Sequence, residues 1–339
     1  MAAANTPTLE QANAAPSRRR VSRARSSRFG GWAPDGFTTP GAMRRARRRG
    51  PPPPIRSRSM ADSFRRIPHA AAGLMMAAGT GSAQGAAPSA GDPPAVAAPA
   101  PTIVLVHGAF ADAMAWARVI PLLERAGYPI VAVENPLTSF DADVATTRRA
   151  INAQPGPVVA VGHSYGGAVI TQVAAESDKV RALVYVAAFA PDAGETVGGL
   201  WERYPAPMAQ ALRTDAAGYV SLNRSKLRDV FAADMPEAET RVMAATQKPI
   251  HGSAFRATLT AAAWRQVPSW FLIAAEDHSI SPELQRLYAR RANAPTVELP
   301  ASHVPFLSQP EDVARLIVSA ASAAVAASDE APVGRTARP

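Results

Sequence analysis

Apolar and polar positions in the middle of the chain alternate between two kinds of segment. Short, continuously apolar runs rich in β-branched residues, beginning with Thr102–Val106, are typical of strands buried on both faces. Between them lie segments with helical spacing of apolar positions, such as residues 141–154. This repetition from Thr102 to about Ala327 predicts an α/β domain with a mostly parallel, doubly wound sheet.

The individual elements follow from the same pattern. Buried strands are expected at Thr102–Val106, Ile130–Val133, 158–161, 180–187, 270–274 and Thr296–Leu299. Helices are expected at 114–126, 141–154, 168–175, from Ser281 onward and at 310–327. Within the first helix, Pro121 either introduces a kink or begins a second part.

One long segment, residues 191–266, interrupts this alternation. Its short helical pieces are separated by Pro205, Pro207, Gly218, Pro236 and Pro249, and the segment shows no continuously apolar strand. We therefore predict an inserted helical cap within a domain at residues 101–327. The Ala/Pro-rich residues 86–100 are predicted to be a linker, and residues 328–339 a frayed tail.

Charge divides the 339-residue chain into two parts. The formal net charge of +9 arises in the first 66 residues, which hold fifteen Arg and three acidic residues, whereas the remainder holds 21 basic and 24 acidic residues. A basic, Pro-rich stretch of this kind cannot bury enough apolar surface to order itself, so residues 1–59 are predicted to be a disordered leader. A nucleic-acid-binding arm is the alternative, but the predicted domain is mildly acidic and no nucleic-acid partner is expected.

Residues 60–85 have the features of an export signal. Met60 is followed by the basic pair Arg65 and Arg66, by an apolar stretch at 70–78 and by small residues where a signal peptidase could cut. The stretch is too short to span a bilayer, so stable membrane insertion is not expected. The pattern predicts a periplasmic or secreted protein exported by the secretory or twin-arginine route, or a cytoplasmic one if the signal is not used. The absence of Cys is compatible with any compartment.

A Gly-x-Ser-x-Gly pattern lies between a predicted buried strand and a predicted helix. In the segment GHSYGG, Ser164 has Gly162 and Gly166 two residues away on either side. A nucleophile at such a turn has a strained backbone conformation, and the glycines let strand and helix approach without a Cβ clash. This context predicts that Ser164 is a nucleophile.

A serine hydroxyl needs a base to take its proton, normally a histidine held by a carboxylate. His303 follows the last predicted strand, in a loop that the topology brings to the sheet edge where Ser164 stands. Two adjacent acids, Glu276 and Asp277, follow the preceding strand, and either could accept a hydrogen bond from His303; Asp277 is preferred. The order serine, acid, histidine is that of α/β-hydrolases.

Two backbone N–H groups are expected to stabilise the oxyanion of the reaction. One belongs to Tyr165, directly after the nucleophile. The other belongs to the loop after the first strand, where Ala109 is the first choice and Phe110 the alternative. A substrate pocket between this turn and the cap is expected to be lined by Phe110, His163, Phe189 and Trp201.

Four segments together resemble the α/β-hydrolase superfamily: HGAF, GHSYGG, AEDHSI and ASH. Within it, the short cap and the segments VYVAAFAPDAGE and SPELQRLYARRA are similar to bacterial relatives of plant methylesterases and hydroxynitrile lyases. The resemblance covers about residues 102–325 and implies the α/β-hydrolase fold and no metal or organic cofactor. It also implies a catalytic triad of Ser164, Asp277 and His303. The implied oxyanion donors are Ala109 and Tyr165.

Two departures from the resemblance narrow the expected reaction. Cyanohydrin-cleaving members carry a Lys after the catalytic histidine and a hydroxylated residue after the first-strand histidine, where this chain has Val304 and Gly108. Dehalogenases and epoxide hydrolases use an Asp where Ser164 lies. We therefore expect hydrolysis of a small-molecule carboxylic ester through an acyl-enzyme. The competing hypothesis is a ligand-binding protein of the same fold with little or no turnover.

Overall fold

The computed structural model describes residues 100–329. The predicted leader at 1–59, the predicted export signal at 60–85, all but the last residue of the predicted linker and most of the predicted tail lie outside these residues and stay predictions. Within residues 100–329, none of the helices combines the length and the hydropathy that crossing a membrane requires.

Six parallel strands form the central sheet. The strands of the described residues are β1 (Thr102–Val106), β2 (Ile130–Val133), β3 (Val158–His163), β4 (Val180–Val186), β5 (Leu212–Thr214), β6 (Tyr219–Leu222), β7 (Ile250–His251), β8 (Ser269–Ala274) and β9 (Thr296–Leu299). In space the central sheet has the order β2-β1-β3-β4-β8-β9, with every neighbouring pair parallel. The predicted mostly parallel sheet is confirmed.

The strand order reverses next to β1. The chain runs from β1 to β2 on one side and returns to β3 on the other, which opens a crevice at the carboxyl ends of β1 and β3. Val106, the last residue of β1, pairs with Gly162 near the end of β3. The loop after β1 and the turn after β3 therefore start side by side.

Ten α-helices accompany the strands in the described residues. They are α1 (Ile120–Arg125), α2 (Phe140–Asn152), α3 (Tyr165–Ala174), α4 (Val197–Arg203), α5 (Leu227–Phe231), α6 (Glu237–Thr246), α7 (Ser253–Arg256), α8 (Pro282–Arg291), α9 (Pro305–Ser308) and α10 (Pro310–Asp329). The predicted helix at 114–126 is divided into a 3₁₀ turn, Ala113–Trp116, and α1, whose first turn contains Pro121. Proline therefore begins the second part, because its fixed φ suits the first turn of a helix.

Helix α3 is buried along its whole length. It starts at Tyr165, three residues before the predicted start, so the turn at Ser164 leads directly into it. A Cβ added at Gly167 would overlap the backbone oxygen of Phe189 and lie 2.8 Å from the Cβ of Ala188. The small side chains of α3 thus permit a close approach to the segment after β4.

The segment inserted between β4 and β8 is a mixed cap and not the purely helical one that was expected. It contains α4 to α7 together with β5, β6 and β7, which form a three-stranded antiparallel sheet. These strands have two to four residues and are partly exposed, so no continuous apolar run marked them. In β6 the buried Val220 and Leu222 alternate with half-buried residues, a weak period of two that predicts a half-buried strand.

The close approach at α3 can be tested with Gly167→Ala. We expect the free energy of unfolding to fall by about 2 to 3 kcal/mol, because the added methyl group forces the backbone of Phe189 to move. Urea unfolding followed by circular dichroism measures the change.

Gly127→Ala is the matched control for this substitution. Gly127 has a φ of 89°, and nothing lies within 4 Å of the added Cβ, so only backbone strain of about 1 kcal/mol is expected. A smaller loss for Gly167→Ala than for Gly127→Ala would contradict the close packing of α3.

Candidate active site

The turn that carries Ser164 is strained, as the sequence predicted. Ser164 has φ 52° and ψ −125°, a conformation rare for residues with a side chain. A Cβ at Gly162 would lie 2.7 Å from the Gly166 oxygen, and a Cβ at Gly166 would lie 2.5 Å from the Val106 oxygen. Glycine is therefore required on both sides of the turn, because strand, loop and helix backbones touch there.

Ser164, His303 and Asp277 form one continuous hydrogen-bonded chain. The Ser164 Oγ lies 2.8 Å from the His303 Nε2, and the His303 Nδ1 lies 2.7 Å from the Asp277 Oδ2. Ser164 is 5% exposed, Asp277 3% and His303 0%. The structure thus brings together the three side chains that the sequence singled out, at the carboxyl edge of the sheet. No group of three or more His, Cys, Asp or Glu side chains that could hold a metal ion is found within residues 100–329.

Four donors surround the Asp277 carboxylate. Its Oδ1 accepts hydrogen bonds from the backbone N–H groups of Ser279 (2.7 Å) and Ile280 (3.0 Å). Its Oδ2 accepts one from the Gln285 Nε2 (2.7 Å) as well as the one from His303. Sequence reasoning did not identify Gln285, which is buried in α8 and has no distinguishing motif. These contacts fix the carboxylate in one orientation.

The alternative acid, Glu276, lies outside this network. Its side chain is exposed, whereas that of its neighbour Asp277 is buried against His303. The backbone N–H of Glu276 donates to the Ala301 oxygen (3.1 Å), which joins the acid loop to the loop of His303. The geometry therefore favours Asp277 as the hydrogen-bond partner of His303.

The loop after β1 lies directly against Ser164. A Cβ added at Gly108 would be 2.6 Å from the Ser164 Cβ. Among the described residues, the backbone N–H groups of Ala109, Phe110 and Tyr165 have no hydrogen-bond partner. All three are nearly buried, so they are unpaired donors beside Ser164, available to an oxyanion.

His107 orients the peptide that precedes one of these donors. Its Nε2 accepts a hydrogen bond from the Asn135 N–H (3.1 Å), so its Nδ1 carries the proton and donates to the Gly108 oxygen (2.8 Å). That oxygen belongs to the same peptide plane as the Ala109 N–H, which must therefore point the opposite way. Burial lowers the pKa of His107, which keeps the ring neutral and the arrangement intact.

His163, which was expected to line the substrate pocket, is a core residue. Its side chain is fully buried, with the ring centroid 4.7 Å from that of His303 and 4.6 Å from that of Phe306. Its Nε2 donates to the backbone oxygen of His303 (2.9 Å), and its Nδ1 has no partner among the described residues. The side chain points into the core because it belongs to the last residue of a strand buried on both faces. Burial, followed by the proximity of His303, lowers its pKa well below 6.5.

A buried carboxylate supports the residue after the nucleophile. Asp143 of α2 accepts hydrogen bonds from the Tyr165 Oη (2.7 Å) and from the Leu137 N–H (2.8 Å). Burial raises the pKa of Asp143, and burial together with Asp143 raises that of Tyr165. The start of α3 is thereby anchored to α2.

The cap is hydrogen-bonded to the loops that carry Asp277 and His303. The Ser302 N–H donates to the Asp234 carboxylate (3.0 Å), which also accepts a hydrogen bond from the Ser302 hydroxyl. The Ser279 Oγ donates to the Val230 oxygen (2.6 Å), and the Trp201 Nε1 donates to the Ser279 oxygen (2.7 Å). The cap therefore contributes to holding the acid and the base in place.

An apolar groove of about 510 Å³ lies next to the loop after β1 and the segment that follows His303. Its walls come from the loop after β1, from α6 of the cap and from the segment after His303, and its lining includes Phe110, Met114, Phe231, Val242, Val304 and Phe306. Of the predicted pocket residues, Phe110 lines this groove. Phe189 is core, and Trp201 packs edge-on against Phe189 and Phe255. Neither of the two lines the groove.

Comparison with known proteins identifies relatives over most of the described residues. A model of the alpha/beta hydrolase family matches residues 103–316. A pyrethroid hydrolase of Sphingobium wenxiniae is 27% identical over 260 residues, which covers 65% of this chain and 88% of that protein. Methylesterase 8 of Arabidopsis thaliana is 28% identical over 208 residues, which covers 54% of this chain and 75% of that protein. The crystal structure of a pyrethroid hydrolase from Sphingobium faniae matches with a TM-score of 0.58 at 25% identity, covering 66% of this chain and 98% of that one.

The chain belongs to the alpha/beta hydrolase family. The resemblance to the branch of plant methylesterases and hydroxynitrile lyases is confirmed, since a methylesterase and an alpha-hydroxynitrile lyase of Arabidopsis thaliana are among its relatives. Several of these relatives are named as esterases or hydrolases, which supports ester hydrolysis as the general activity.

The lowered pKa of His163 predicts a specific pH dependence of stability. The pKa of a histidine in the unfolded chain is about 6.5, and above this pH His163 is neutral in both the folded and the unfolded state. As the pH falls below 6.5, the unfolded chain takes up a proton at this histidine that the folded protein does not, so the free energy of unfolding decreases. In His163→Gln, whose amide can still donate to His303, the free energy of unfolding should fall less steeply between pH 6.5 and 5. Urea unfolding at several pH values measures the slope.

The control is His278→Gln, since His278 is exposed. That variant should keep the slope of the parent. An equal or steeper slope in His163→Gln would contradict a buried, neutral His163.

Proposed function

We propose that this protein is a serine hydrolase that cleaves a small-molecule carboxylic ester through an acyl-enzyme. The observation that carries the proposal is the continuous chain of short hydrogen bonds from Ser164 through His303 to Asp277. Such a chain supplies a nucleophile, a base and an acid that orients the base, which is the arrangement acyl transfer requires.

In the first half of the reaction, the Ser164 Oγ attacks the ester carbonyl carbon while the His303 Nε2 takes the hydroxyl proton. The Asp277 carboxylate accepts the Nδ1–H of His303, holds the ring in the correct tautomer and stabilises the imidazolium. The imidazolium then protonates the leaving alkoxide oxygen. The alcohol departs, and the acyl group remains bonded to Ser164.

In the second half, His303 takes a proton from a water molecule as that water attacks the acyl carbonyl carbon. The tetrahedral intermediate collapses when the imidazolium returns the proton to the Ser164 Oγ, and the carboxylic acid is released. In both halves the carbonyl oxygen becomes negative. The N–H groups of Tyr165 and Ala109, with Phe110 as the alternative to Ala109, stabilise that charge.

The residue after His303 favours ester hydrolysis over cyanohydrin cleavage. Val304 is buried and apolar, and it lines the groove. Release of a cyanide anion needs a cation near the leaving group, and Val304 offers none. Ester cleavage does not need a cation at this position. An apolar wall there keeps water away from the acyl-enzyme until the alcohol has left.

Replacing Ser164 or His303 by alanine tests the proposal. Each variant should lose at least about a thousandfold in kcat on p-nitrophenyl butyrate, because nucleophile and base act as one unit. Their double variant should be little worse than either single variant, for the same reason. Initial rates and an acyl-enzyme burst in the parent are the measurements.

Correct folding of both variants should be checked by thermal unfolding. Hydrolysis that persists in both would exclude the proposed nucleophile and base. A folded parent without turnover would contradict the proposal and favour a ligand-binding protein of this fold.

A second pair of variants tests the identity of the acid. Asp277→Asn keeps the size of the side chain but favours the wrong tautomer of His303, so kcat should fall roughly ten-thousandfold. Glu276→Gln, a matched change at the exposed neighbour, should alter kcat little. Steady-state rates compare the two, and a larger loss in Glu276→Gln would assign the role to Glu276.

A further inference from the structure

The reaction steps described above assign no part of the substrate to the groove beside the hydrogen-bonded chain. We propose that it binds the apolar part of the substrate, and that the substrate is an uncharged ester with an extended alkyl or aromatic group on its acyl or alcohol side. This inference rests on the proposed function and names the substrate class that the site selects.

Two aromatic side chains join the groove to the reacting groups. Phe231 lines the groove, and its ring centroid lies 5.0 Å from that of His303. Phe110 lies across from it at 6.4 Å and directly follows Ala109, the first candidate for the oxyanion donor after β1. An ester whose carbonyl oxygen is held at this loop can therefore extend one of its two groups past Phe110 and Phe231 into the groove.

The lining of the groove includes most of the exposed large apolar side chains of the described residues. Three large hydrophobic side chains are exposed within residues 100–329, and two of them, Met114 (73%) and Val242 (62%), line this groove from two different elements, the 3₁₀ turn after β1 and α6. Exposed apolar patches commonly mark binding sites. The volume of about 510 Å³ also falls in the range of pockets for small ligands.

The charges of the lining disfavour anionic substrates. Two carboxylates, Asp112 and Glu239, line the groove, and no Lys, Arg or His of the described part of the chain does so. Glu239 is paired with Arg118 outside the lining (2.6 Å), but Asp112 accepts a hydrogen bond from a backbone N–H and has no cationic partner within residues 100–329. A carboxylate on the substrate would enter an apolar site that contains negative charge and offers no counter-ion, which is unfavourable.

Two series of esters test this assignment. In p-nitrophenyl esters from acetate to octanoate the acyl chain grows, and in alkyl butyrates from methyl to octyl the alcohol grows. We expect kcat/KM to rise in one series by up to about fourfold per methylene over the first additions, because each buried methylene gains that much in binding to the transition state. The series that responds identifies the side that occupies the groove.

Variants of the exposed wall residue Val242 link this response to the groove. Val242→Glu should lower the ratio of kcat/KM for the longest to the shortest ester about tenfold, because a charge is placed in the path of the chain. Val242→Lys should lower the same ratio but raise cleavage of a hemisuccinate ester relative to butyrate. Val297→Glu is the control, because Val297 is the third exposed large hydrophobic residue and lies on β9, away from the groove.

Three results would overturn the inference. In the first, kcat/KM does not change with chain length in either ester series although hydrolysis still depends on Ser164. This result would overturn the inference and leave the proposed function intact. In the second, Val242→Glu and Val297→Glu change the ratio of kcat/KM for the longest to the shortest ester equally. In the third, the unmodified protein cleaves the hemisuccinate ester faster than the butyrate ester. A folded parent without any esterase turnover would overturn both the inference and the proposed function.

Discussion

The strained backbone at Ser164 is the constraint on which the site depends. Its positive φ is maintained because β1, β3 and α3 approach so closely that glycine is required at Gly162 and Gly166, while the segment after β4 requires glycine at Gly167. Tertiary packing offsets the cost of this conformation, which is of order 1 to 3 kcal/mol. The same close approach places the loop after β1 against Ser164 and leaves unpaired N–H groups beside it.

Asp277 and His303 are held by hydrogen bonds from several separate elements of the fold. Gln285 of α8 and two backbone N–H groups fix the Asp277 carboxylate, while His163 donates to the backbone of His303. Cap residues bind the neighbours of both, such as Asp234 at Ser302. The cap therefore has two roles in this fold: one wall of the groove and part of the support for the acid and base.

Burial shifts the pKa values of several titratable side chains around the site in the direction that favours their neutral forms. Burial lowers the pKa values of His107 and His163, and raises those of Asp143 and Tyr165. Neutral rings at His107 and His163 let each act as a hydrogen-bond donor to one backbone oxygen without adding positive charge beside His303.

Local sequence determined the strand and helix alternation, the turn at Ser164 and the choice of His303, because these depend on short patterns and on the edge to which parallel strands lead. It left Glu276 and Asp277 open, placed His163 in a pocket and missed the cap strands. Those points depend on contacts between residues far apart in the chain, such as Asp277 with His303 or Asp234 with Ser302, and on which side of a buried strand a side chain faces. The tertiary structure alone decided them, since hydrogen bonding and burial at these positions arise only when separate elements pack together.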